Sequence, residues 1–425
     1  MVFGYALTLI ILLFPIFSNG QNKKIDSLRA VLKTVEGEQE YRTLNEITFH
    51  LFDIDNQEAF KFSERAFTLA YQYGDSLGIV KSGRRKGQLL RRIDRPNDAL
   101  KVLLIVLPIA QRNKLIDEEG YILQGIAICY TFLAVYDKAL EYNFLTLKLR
   151  ELQKDTLGIA SAFNNIGAVY YKIRNYDKAK DFFTKCLYLK ELANDTYDKD
   201  RLLINLGLSN VHLKHFNEGL SLFRRAFNFC ANNCSNNIQI EGKFGSAVAY
   251  LNLHDTLQAE TLFQESLHLS ELGNNKRFQA ENLVYLGKIE NGKRQSERAV
   301  KYLTRAEAIA DSAHYNQLLM DIYRQSINAF TGSNDVTRSS SYRKKYITLK
   351  DSVVGENMVK SFSKIDSIIE SSQPASDDKL KWIGIWVSIG SIAVLGFILL
   401  LIQLRRNLLL VKLTRLLSAL KPNNL

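Results

Sequence analysis

A chain of 425 residues is too long for one ordinary core and short enough for one repeat array. Five prolines against 46% apolar residues suit helices and leave little room for disordered linkers. Lys and Arg exceed Asp and Glu by 12, but five of those cations (Arg405, Arg406, Lys412, Arg415 and Lys421) crowd the last 21 residues with no acid among them, so the excess marks no nucleic-acid surface, and four cysteines are too few for a disulfide-built fold.

The chain opens on an apolar run over residues 2–17, followed by Ser18-Asn19-Gly20. Small residues at 18 and 20 fit a signal-peptidase site, so residues 1–20 are expected to be a signal peptide. No Lys or Arg precedes the run, which leaves an uncleaved anchor as the alternative.

Residues 21–350 carry a forty-residue period. Small residues stand at Ala59, Ala99, Ala139, Ala179, Gly219, Ala259 and Ala299. A second series runs Gly87, Ala127, Gly167, Gly207, Ala247, Gly287, and a third Ala66, Val106, Thr146, Cys186, Ala226, Ser266, Ala306. Three series in one register predict one helical hairpin stacked about seven or eight times, an all-α solenoid. The unit is clearest at 160–199. Its first helix holds Phe163, Ile166, Gly167 and Tyr170, a polar turn follows at Arg174–Asp177, and the second helix holds Ala179, Phe183 and Cys186. The segment Asp75–Ile79 returns as Asp155–Ile159 and reads as a link between units. Unit one, near 40–73, is weak, and the last, near 320–350, is degenerate, with Ser339 and Tyr346 at the small positions. Atypical end units are expected where an apolar face must be capped.

This spacing of aromatic, Gly, Tyr, Ala, Phe and small residues resembles the tetratricopeptide repeat. HEAT and armadillo repeats share the length but not the pattern. The resemblance implies a ligand groove lined by first helices, with the sixth residue of each unit facing it. Asn165 and Asn205 hold that position here, and an Asn can both donate to and accept from the backbone of an extended peptide. Lys81, Arg84, Arg85 and Arg92 also fall on groove-lining positions, and Arg forks bind carboxylates in bidentate fashion. A protein or peptide, acidic in part, is the implied guest; a solvated charged face is the plainer reading. Lys86 sits where the pattern wants an apolar residue.

Catalytic signatures are absent: the sequence has no HExxH, GxxxxGK[ST], GxSxG or CxxC. No cofactor or metal is expected. His212 and His215 lack a third ligand nearby. Cys230 and Cys234 either close the end of a second helix as a disulfide, which requires the turn to bend, or remain thiols. Cys129 and Cys186 read as packing residues.

Residues 351–381 read as a helical stalk and linker, with an apolar stripe at Met358, Phe362, Ile365 and Ile369. The 23 uncharged residues 382–404 are long enough to cross a bilayer core. Trp382 and Trp386 mark one interface, and Arg405 and Arg406 place the basic tail, 405–425, in the cytoplasm. The repeats are therefore expected outside the cytoplasmic membrane. A second stripe, Leu409, Leu413, Leu416 and Leu420, allows homodimer contact or a helix lying on membrane lipid.

The order of parts resembles bacterial membrane-anchored tetratricopeptide proteins whose cytoplasmic part is a LuxR-type regulator or a histidine kinase. Only 21 residues follow the span here, with no His, so the expectation is a relative without that output domain. The expected function is a non-enzymatic binding scaffold or sensor. The alternatives are a split receptor subunit served by a cytoplasmic partner, and a structural anchor.

Overall fold

The computed structural model describes residues 23–351, apart from Asp53. The signal segment, the stalk beyond Asp351, the span at 382–404 and the tail lie outside the described residues. Among the described residues, no helix is long and apolar enough to cross a membrane.

Those residues form 17 α-helices and no strand. α1 covers 23–32. Then come α2 (Glu38–Leu51), α3 (Asn56–Tyr73), α4 (Ser76–Arg92), α5 (Pro96–Arg112), α6 (Ile116–Phe132) and α7 (Tyr136–Gln153). α8 (Thr156–Lys172), α9 (Tyr176–Leu192), α10 (Lys199–His212), α11 (Phe216–Cys230), α12 (Asn236–Asn252) and α13 (Thr256–Leu272) follow. α14 (Lys276–Gly292), α15 (Ser296–Ser312), α16 (Asn316–Gly332) and α17 (from 336) complete the series. Two compact units divide at Leu318 and Leu319.

In the first unit α2 to α15 make seven hairpins, each helix packing on its chain neighbours, and first helices also meet across units, as α4 meets α6 and α10 meets α12. In the second unit α16 and α17 pack through Tyr342, whose ring lies 5.9 Å from Tyr323 and 5.3 Å from Phe330.

The period has a finer division than the small residues reveal. Left-handed residues end the helices every twenty positions, at Gly74, Asp94, Lys114, Ala134, Lys154 and Arg174 and onward. Each closes its turn with two backbone bonds. At Arg174 these are Arg174 N to Tyr171 O, 3.0 Å, and Asn175 N to Tyr170 O, 2.9 Å. Asn175 then caps α9 by accepting from Lys178 N. Asp155–Ile159 is therefore not a link. Asp155 is the N-cap of α8 and accepts from Gly158 N at 2.9 Å, so the helix has begun by Thr156. The residues beyond the usual unit length extend first helices as well as second ones.

The three small series are buried contact points. Ala99, Ala139, Ala179, Ala259 and Ala299 are wholly inaccessible. A Cβ on Gly167 would stand 2.8 Å from the Phe183 ring, and one on Gly207 2.5 Å from the Phe223 ring. Sixteen residues separate the members of each pair, so the first helix supplies the hollow and the second helix of the same hairpin the knob. Cys129 and Cys186 are buried, and burial lifts each thiol to about 11, which fits packing rather than reactivity.

Candidate functional site on the first helices

The forty-residue register lines up equivalent positions of α2, α4, α6, α8, α10, α12 and α14 as rungs. Asn45, Arg85, Gly125, Asn165 and Asn205 share one rung position. Asn165 and Asn205 are half-buried, and the buried Nδ2 of Asn165 has no hydrogen-bond partner among the described residues. Asn45 is 9% exposed with an unpartnered Oδ1. Such amide groups cost free energy when left unmatched.

The basic helix α4 is engaged within the chain. Arg84 donates from Nε to Glu118 Oε2 at 2.5 Å and lies 5.2 Å from the Tyr121 ring centroid. Both side chains of that pair are mostly buried. Arg85 donates to the Asn45 carbonyl and covers the Phe49 ring. Arg92 donates to the Phe52 carbonyl at 2.7 Å and lies 3.9 Å over the ring of the same residue. Arg84 thus ties its unit to the next one, while Arg85 and Arg92 tie it to the one before. Lys86, out of place in an apolar position, pairs with Glu64 at 3.1 Å and lies over Phe67. Lys81 is exposed, with no ion pair among the described residues.

A charged cluster that the sequence reading passed over stands further along. Arg201, Glu241 and Glu281 occupy one rung position of α10, α12 and α14, and Lys172 and Arg277 complete the group. Arg277 and Glu281 pair at 2.8 Å. Lys172, Arg201 and Glu241 have no side-chain hydrogen bond or ion pair among the described residues. Burial pushes the Glu241 carboxyl up, against the pull of Arg201, Arg277 and Lys172. Burial likewise pushes the Lys172 amine down, aided by Arg277. Lys172 is accessible to solvent, so it is the crowding of surrounding protein, not enclosure, that desolvates it. The Glu281 charge holds the Arg277 guanidinium up. Groups from α8, α10, α12 and α14 therefore share one electrostatic environment. The forty-residue spacing of 201, 241 and 281 was the available signal.

His212 packs among aromatic rings, and His215 stands beside charged groups. His212 stacks on Tyr176 at 4.1 Å between ring centroids, with Nε2 3.1 Å from the Tyr171 hydroxyl. His215 Nδ1 lies 3.7 Å from Glu218. Cys230 and Cys234 form a disulfide with Cα atoms 4.9 Å apart, and the chain does bend there: α11 stops at Cys230 and a short 3-10 turn covers Ala231–Asn233.

Residues 160–191 match the family model described as Tetratricopeptide repeat. No curated protein matches the chain. Among solved structures, the apo form of the quorum sensor NprR from B. thuringiensis is similar at 16% identity, covering 79% of this chain and 94% of that one, with a TM-score of 0.60. The apo form of RapI is similar at 13% identity, covering 79% and 98%, with a TM-score of 0.55. A Rap protein complexed with Competence and Sporulation Factor is similar at 12% identity, covering 75% and 99%, with a TM-score of 0.51. The likeness is one of fold, and it makes the described chain an all-α solenoid of the tetratricopeptide type.

Proposed function

We propose that the first-helix surface is a groove that captures an extended segment of a protein or peptide. The chain acts through binding, without catalysis of its own. The observation that carries this reading is the Asn rung: Asn165 and Asn205 in register, with a buried amide nitrogen on Asn165 that nothing in the described chain satisfies. Similar folds that carry a quorum-sensor name or a bound factor lend support. The acidic end of such a guest would meet Lys172 and Arg201 rather than Arg84 and Arg85, because the latter already have partners.

In this reading the signal segment and the apolar run at 382–404 hold the repeats outside the cytoplasmic membrane, with the basic tail inside. The asymmetry of Arg405 and Arg406 against Asp377 and Asp378 supports that orientation. The chain then either holds a complex in place or passes occupancy to a cytoplasmic partner.

The test is a pull-down with the full-length chain from solubilised membranes, with the captured partner identified by mass spectrometry and its affinity measured. Asn165→Ala with Asn205→Ala removes two sets of backbone bonds, each worth about 1 kcal/mol, and should weaken binding about tenfold or more. An unchanged affinity in the double variant would remove the groove reading.

A further inference from the structure

Five of the six junctions between the seven hairpins of the first unit share one left-handed turn residue with two return bonds, although α10 starts late, at Lys199, behind a second left-handed residue, Asp198. At the junctions Gly74, Lys114, Lys154, Asn194 and Asn274 the residue is left-handed. Its N–H and the next one return to carbonyls of the helix before, as Asn274 N does to Glu271 O and Asn275 N to Ser270 O. The register puts Cys234 at the same position between α11 and α12. Cys234 is instead extended, at φ −62° and ψ 127°, and Ala231 carries the positive φ, 45° with ψ −122°. L-residues disfavour that conformation. α11 has 15 residues where α5, α9, α13 and α15 each have 17. Among the described residues, neither Cys234 N nor Ser235 N makes the return bond its counterparts make.

The rest of the junction keeps the common design. α12 starts in register at Asn236, with Ser235 as its N-cap accepting from Ile238 N. The departure is confined to the residues closed by the Cys230–Cys234 bond. Beside it lies a cavity of about 320 Å³ lined by Phe227, Ala231, Cys234, Gln239 and Lys243. Both sulfurs belong to partly accessible residues, and Cys234 faces the cavity.

We propose that Cys230–Cys234 is a reversible modification site, a disulfide that a dithiol protein reduces, and that its reduction lets the junction fold into the common left-handed turn. A thiolate of the dithiol attacks Cys234 Sγ, the sulfur bond breaks, and Cys230 leaves as a thiolate that takes up a proton. The second thiol of the reductant then displaces Cys234, so the chain gains two thiols as the dithiol becomes a disulfide. Two electrons and two protons pass to the chain. With the tether gone, α11 extends by half a turn through Asn232, Cys234 becomes the left-handed residue, and Ala231 relaxes into the helix. The junction joins the hairpin of Arg201 and Asn205 to that of Glu241, so the change falls between two rungs of the ladder that carries the candidate groove.

Hydrogen exchange on the purified full-length chain, before and after dithiothreitol, tests this. Reduction is followed by the mass gain of two hydrogens. The amides of Cys234 and Ser235 should exchange about tenfold more slowly once reduced, the size expected of a gained backbone hydrogen bond. Cys230→Ala with Cys234→Asn supplies the residue type found at Asn194 and Asn274. It should show the slow exchange without reductant and no response to it. Exchange at 234 and 235 that stays the same or quickens on reduction overturns the proposal, as does a disulfide that dithiothreitol leaves intact in the folded chain.

Discussion

Gly167 and Gly207 are small because Phe183 and Phe223 lie where a Cβ would go. Packing there leaves no slack, so bulk on the hollow side must push the ring or part the helices. Gly167→Leu should therefore destabilise the array by about 1–3 kcal/mol through overpacking, read as an earlier midpoint in urea. An unchanged midpoint would mean that α8 and α9 do not meet at this residue. These hollows were legible in the sequence because one residue type recurred at one interval. The turn residues were not. Lys154, Arg174, Asn194 and His254 share a left-handed backbone and no chemistry, so their period of twenty leaves no trace in composition. Two backbone bonds at each turn offset the cost of that conformation, about 1–2 kcal/mol for a residue with a Cβ.

At the scale of elements, consecutive hairpins are tied by charge as well as by apolar contact. Arg84 reaches Glu118, Lys180 reaches Glu218 at 3.0 Å and Lys293 reaches Glu260 at 2.6 Å, each pair spanning two units. The Arg84 pair is the most buried of the three, so it contributes most. Arg84→Glu should lower stability by about 1.5–3 kcal/mol, the worth of a charged hydrogen bond. Adding Glu118→Arg should restore much of it, and thermal unfolding of both variants with the parent measures the coupling. Additive losses with no recovery would show that the two side chains act separately. The sequence displayed the cations of α4 but not their partners. Glu118 lies 34 residues on, in the following unit, and only stacked hairpins bring it into reach. The same limit hid the cluster of Lys172, Arg201, Glu241, Arg277 and Glu281, drawn from four helices that no local pattern links.

In the topology proposed above, the ladder of first helices is joined to end segments whose sequences read as export and anchoring signals. That topology predicts two reporter results: a fusion after Leu425 active only in the cytoplasm, and one near Ser372 active only outside. The opposite pattern would reverse the assignment of sides. The central claim is that a partner lies along the first helices. Photo-crosslinking from single positions in the full-length chain addresses it most directly. A photoreactive residue at Lys81 or Arg201, exposed on first helices, should capture the partner found by pull-down. The same residue at Tyr188 or Leu272, which are 65% and 71% exposed on second helices, should not. Capture from Tyr188 and Leu272, with none from Lys81 and Arg201, would contradict the account and place the partner on the opposite set of helices.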